Sequence, residues 1–97
     1  FDGSGNLWIS TDGNALGSND GLFATPVRGP ERGHVKQFAT VPVHGEAVGP
    51  VISADQRTVF IGVQHPGETS GANPDDPASR WPFGDQPRPA VACVWRR

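Results

Sequence analysis

Methionine and tyrosine are absent from the 97-residue sequence, and cysteine occurs once, at Cys93. A single thiol makes neither an internal disulfide nor a thiolate zinc centre. Without methionine the sequence is not expected to begin at a natural start, and Phe1 reads as the edge of a longer or processed chain. Runs of Lys or Arg are missing too. Their 8 residues stand against 10 Asp and Glu, a net charge of −2. That balance offers no footprint for nucleic acid or an anionic membrane, and neither is expected as a partner. No apolar stretch approaches the length of a membrane span or a signal-peptide core. Helical periodicity is equally scarce, because Gly or Pro interrupts every window of apolar residues at i, i+3, i+4 and i+7. With 13 Gly and 10 Pro in a chain of at most one ordinary domain, the core is expected to be thin.

What is present has the period of strands. Residues 7–11 (LWIST) lie between the turn sequences Gly3-Ser4-Gly5-Asn6 and Asp12-Gly13. Residues 21–27 (GLFATPV) and 34–42 read as the next two strands, paired as a hairpin across residues 28–33, with Pro26 at a strand end. Residues 48–53 and 58–63 are apolar enough for central strands and flank a tight turn at Ala54-Asp55-Gln56-Arg57. Residues 64–89 hold six of the ten prolines and cannot be regular, although Trp81 and Phe83 offer apolar anchors. Residues 90–95 (AVACVW) close the pattern, with Val91, Cys93 and Trp95 on one face. The reading is all-β, in antiparallel sheets.

A repeat organises these strands. Phe1–Ser10 and Ile52–Gly62 share a strand end, a polar turn and an aliphatic-aromatic-isoleucine strand, with Trp8 and Phe60 52 positions apart. That period lies slightly beyond the roughly 40 to 50 residues of propeller blades, and a long outer loop absorbs the difference. The expected architecture is about one and a half blades of a β-propeller, divided as residues 1–45 and 46–97 with the loop at 64–89. A closed propeller leaves only short edges, so this stretch by itself is expected to expose long ones and to self-associate.

Four residues stand out chemically. Glu46 precedes the strand at 48–53, where the entrance of an innermost strand points at a propeller channel. Carboxylates there suit calcium, which takes six to eight oxygens; the ordinary alternative is an exposed loop glutamate. His65, in Gln64-His65-Pro66-Gly67-Glu68, is either a ligand or proton carrier or a histidine bonded to its own turn. Gln64 beside it and Asp12 of Asp12-Gly13-Asn14 end strands from which a site can be reached, although Asp-Gly is first of all turn chemistry. Asp2-Gly3-Ser4-Gly5-Asn6 lacks the sixth-position glycine and distal glutamate of a calcium loop and reads as a β-turn. No G-x-S-x-G supports a serine hydrolase, and surface arginines such as Arg80 and Arg88 are not by themselves a phosphate site.

In order along the chain, FDGSGNLWISTDG, NDGLFATPV, GPERGHVKQFATVPV, EAVGP, TVFIGVQHPGE and PRPAVACVWR resemble the C-terminal end of the PhoX-type alkaline phosphatases. GNLW is shared by many propellers; the succession of GPERG, E-x-x-GP and VQHPGE is the specific part. The resemblance implies a longer exported phosphomonoesterase, periplasmic or extracellular, built as a propeller with calcium and iron at the channel mouth. In it, residues 1–45 finish the penultimate blade and 46–97 form the last. It implies a metal-site role for Glu46 at the E-x-x-GP position, whereas the family's iron-binding cysteine lies upstream and is not Cys93. Family members often carry Cys or Thr where Val48 stands. A phosphomonoester is the implied substrate, and this stretch alone is expected to be catalytically silent and to hold no metal tightly. A calcium-dependent lactonase-like propeller and a non-catalytic propeller binding module are the other classes compatible with the strands. The first has no reason to carry E-x-x-GP before VQHPGE, and the second would lose the metal ligands.

Overall fold

The computed structural model describes residues 1–13 and 19–97; Asn14, the end of the Asp12-Gly13-Asn14 turn, lies outside them. Six strands follow in order: β1 (Asn6–Ser10), β2 (Gly21–Pro26), β3 (Lys36–Thr40), β4 (Glu46–Ile52), β5 (Thr58–Gln64) and β6 (Ala90–Trp95). They form two antiparallel three-stranded sheets, β1-β2-β3 and β4-β5-β6, with no helix among the described residues. The all-β, antiparallel expectation holds.

Turn chemistry fixes where the strands start. Ahead of β1, the Asp2 carboxylate accepts from Ser4 N at 3.0 Å and Asn6 N at 2.9 Å, and from the side chains of Asn6 at 2.9 Å and Trp8 at 3.0 Å. An Asp that satisfies its own turn in this way pins the register of the strand that follows. The equivalent turn before β5 uses Ser53, whose Oγ donates to Asp55 and accepts from Thr58 N, while Gln56 takes a left-handed φ of 58°. The two turns touch: Gly3 N donates to Gln56 Oε1 at 2.6 Å. The hairpin from β2 to β3 closes across residues 28–33 through Gly33 N on the Pro26 carbonyl at 2.9 Å.

Two expectations are corrected. Of residues 48–53 and 58–63, only the second is a central strand; β4 is an edge of its sheet, and Val51 is 58% exposed. Its ladder with β5 is interrupted between Val48 and Val51, where Gly49 has a left-handed φ and Pro50 has no N–H to donate. Phe83 is not an anchor. It is 75% exposed, inside a turn that Gly84 N closes onto the Arg80 carbonyl. Trp81 does anchor the loop, packing on the buried cluster Val41, Ala47 and Val63.

That small cluster joins the sheets. Val41 follows β3, Ala47 belongs to β4 and Val63 to β5. Beside it, Ala47 N donates to the Thr11 carbonyl at 3.2 Å and Val41 N to the Asp20 carbonyl at 2.8 Å. The end of β1, the start of β4 and the end of β5 therefore meet in one place.

Candidate metal centre

Glu46 is the first residue of β4, within the strand rather than in the loop before it, and pairs in register with Gln64 at the end of β5. The strand begins this early because Glu46 and Ala47 already pair with Gln64 and Val63 of β5, while the Ala47 N–H bonds Thr11 on the other side. Glu46 thus stands one residue from a bond to the last position before Asp12. Asp12, Glu46 and His65 each bring a ligand atom within 4.8 Å of the other two. A hollow of about 210 Å³ opens here, with Asp12, Asp20, His44, His65 and Glu68 among its lining.

The His65 ring lies between two carboxylates, those of Glu46 and Glu68. Its Nε2 is hydrogen-bonded to Glu46 Oε2 at 3.2 Å, and its Nδ1 lies 3.1 Å from Glu68 Oε2, an ion-pair distance without the alignment of a hydrogen bond. Desolvation opposes the charged ring, but the Glu46 hydrogen bond and the negative charge of Glu68 outweigh it and raise the imidazole pKa above its usual value. The ring rests on a stiff turn. His65 has a left-handed φ of 34°, Gly67 N donates to the Val43 carbonyl at 2.9 Å, and Glu68 N donates to His44 O at 3.3 Å and His65 O at 3.1 Å. Gly67 cannot be another residue without movement: at φ 77°, a Cβ there would stand 2.7 Å from Ser79 Cβ and 2.8 Å from Ser79 N.

On the other wall, Thr11 Oγ1 donates to Asp20 Oδ1 at 2.8 Å and accepts from Gly21 N at 3.0 Å. Asp20 is almost wholly buried, and this bond helps to fix the β1 end that carries Asp12.

Of the residues expected at a site, Asp12, Glu46 and His65 converge. Gln64 sits across from Glu46 in the ladder and is exposed, lining a different hollow with Val48 and residues 89–91. Cys93 is exposed on β6 and is not in this group. Glu68 and His44 were not expected. Glu68 ends the VQHPGE motif, so a three-residue offset from His65 in a Pro-Gly turn was the available signal. His44 had none, since its place follows from its left-handed φ of 54°.

The donor set fits a hard divalent cation. Asp12, which follows β1, and Glu46 of β4 bring carboxylate oxygens within 4.8 Å of each other, and Asp20 and Glu68 join Asp12 and His65 in lining the hollow. Oxygen donors from several segments are what calcium requires. An imidazole alongside carboxylates is also compatible with iron.

Comparison with curated proteins finds no match, and comparison with solved structures finds none. The family model described as Alkaline phosphatase PhoX matches residues 1–67, from the turn before β1 through the Gly67 turn after β5. The span includes Asp12, Glu46 and His65 but stops short of Glu68 and of β6, so the likeness of PRPAVACVWR lies outside it. Covering more than half of the sequence, the match establishes that this chain belongs to the PhoX alkaline phosphatase family.

Proposed function

We propose that this chain is the C-terminal part of a metal-dependent phosphomonoesterase in which Glu46 is a metal-site carboxylate and Asp12 and His65 line the same centre. The observation that carries the reading is the meeting of those three side chains within 4.8 Å, inside the span that matches a phosphatase family. When bound, calcium, with iron as a second cation, would polarise a phosphoryl oxygen and neutralise the charge that develops in transfer. Glu46 and Asp12 offer the anionic oxygens, and His65 holds one Glu46 oxygen by hydrogen bond. With so few ligands, residues 1–97 are expected to hold cations weakly and to lack turnover alone.

The same reading takes the two sheets as neighbouring blades, 1–45 the remainder of the penultimate one and 46–97 the last. In the sequence repeat β1 corresponds to β5, so a counterpart of β4 belongs upstream of β1. Export to the periplasm or beyond accompanies this assignment. No helix among the described residues is long and apolar enough to cross a membrane.

The test is made in the whole protein. Phosphomonoesterase activity should disappear with a strong calcium chelator and fall sharply in Glu46→Gln, which keeps the side-chain shape and removes its charge. Unchanged metal content and turnover in that variant would return Glu46 to a structural role.

A further inference from the structure

We infer that His65 is a positioning residue for the metal-site carboxylate: it donates Nε2–H to Glu46 Oε2, fixes the plane of that carboxylate and leaves Oε1 for a cation. The inference rests on the proposed role of Glu46 and adds a distinct function for its neighbour. Both ring nitrogens have a carboxylate near 3 Å, but only the Nε2 contact with Glu46 has hydrogen-bond alignment. The two carboxylates also differ in freedom. The Glu46 side chain is 22% exposed and lies on a strand, whereas that of Glu68 is 71% exposed. A less hydrated, less mobile acceptor takes the stronger hydrogen bond, so the ring proton belongs on the Glu46 side. Glu68 contributes its charge from the opposite edge.

The backbone makes the ring a fixed point rather than a flexible arm. Gly67 N on Val43 and Glu68 N on His44 tie the turn to the segment that leads directly into Glu46. Ring and carboxylate therefore share one rigid base, and a rotation of Glu46 toward solvent would break its bond to His65. Partners that orient metal ligands in this way are worth roughly 10- to 100-fold in metal affinity.

The experiment uses the 97-residue chain and calcium alone as probe, followed by NMR titration in wild type, Glu46→Gln, His65→Ala and His65→Gln. The inference expects the calcium response at this end of the sheets to vanish in Glu46→Gln and to weaken about 10-fold in His65→Ala. His65→Gln, whose amide restores an N–H donor, should recover part of it. Loss in Glu46→Gln with no change in His65→Ala overturns the positioning role and leaves the Glu46 reading standing; no change in Glu46→Gln overturns both. A second readout needs no cation. Long-range imidazole ¹⁵N spectra at alkaline pH should show the His65 proton on Nε2, and a proton on Nδ1 instead overturns the inference.

Discussion

Ala47 donates its backbone N–H to the carbonyl of Thr11, 36 residues earlier, at 3.2 Å. The bond joins the segment after β1 to the start of β4, and each residue is the immediate neighbour of a candidate-site carboxylate, Asp12 on one side and Glu46 on the other. The bond thus brings the two carboxylate-bearing positions side by side through the backbone.

The Thr11 hydroxyl supports this junction, because it bonds both Asp20 and Gly21 N. Thr11→Val keeps the shape, removes the donor to a buried carboxylate and leaves the Gly21 amide without this acceptor. A loss of about 1–3 kcal/mol in urea unfolding is expected. A change within error would mean that the Asp20 side of the junction is held by its other contacts.

Asp2 gives the pH prediction. Desolvation works against its ionised form, but the bonds from the Asn6 and Trp8 side chains and from the Asn6 and Ser4 backbone outweigh it and lower the pKa from 3.8 to about 2. A folded-state pKa below the unfolded value means stability fully present above the unfolded pKa and lost as pH falls through the folded one. Stability should therefore decline between roughly pH 4 and 2. Asp2→Asn should flatten that decline and alter Trp8 fluorescence, since the indole N–H is one of the donors. An unaltered acid slope in the variant would assign the decline to other carboxylates.

The strands were legible because their apolar runs are short and punctuated. Gly3-Ser4-Gly5-Asn6, Gly29-Pro30 and Asp55-Gln56 mark turns by chemistry that acts over a few residues, and residues 7–11, 21–27, 58–63 and 90–95 lie close to the strands found. Edge or centre was not legible at β4, since Val48, Val51 and Ile52 look like interior residues until Gly49-Pro50 is seen to interrupt the ladder. Trp81 and Phe83 carry similar apolar weight two positions apart, and only long-range packing on Val41, Ala47 and Val63 tells them apart. At the site, residue type and strand ends picked out Asp12, Glu46 and His65. Their convergence depends on pairings between segments far apart in sequence, as does the nearness of Asp20.

Gly67 should be the least replaceable residue of the VQHPGE motif for stability. In Gly67→Ala the new Cβ meets the Ser79 backbone and must also adopt a left-handed φ. Combined strain of about 1–3 kcal/mol or more is expected, released by lifting the 64–89 loop and Trp81 from their cluster. Thermal unfolding gives the stability change, and the His65 imidazole signals should shift in the same variant because the turn that holds the ring has moved. Gly67→Ala folding with wild-type stability and unshifted His65 signals would refute the tight approach of Gly67 to Ser79.

Sheets β1-β2-β3 and β4-β5-β6 end on strands with backbone groups available for pairing, and Val51, Val91 and Trp95 are 58%, 69% and 64% exposed. Water can satisfy the edge amides and carbonyls, but only another chain can also bury those side chains, at about 25 cal/mol per Å² of apolar surface. Val91 and Trp95 alternate along β6, so one face of an edge strand carries both. Pairing through β6 buries apolar side chains and satisfies main-chain groups in a single contact. Apparent mass by light scattering should therefore rise with concentration, and a charged replacement that disfavours edge pairing, Val91→Lys, should move the rise to higher concentration without lowering stability. The same samples assayed with added calcium should show no phosphomonoester turnover, because the proposed centre needs more oxygen ligands than Asp12 and Glu46 supply. A monomer at every concentration would mean that the free edges are protected by water alone, and turnover by this chain would show that Asp12, Glu46 and their neighbours already make a complete centre.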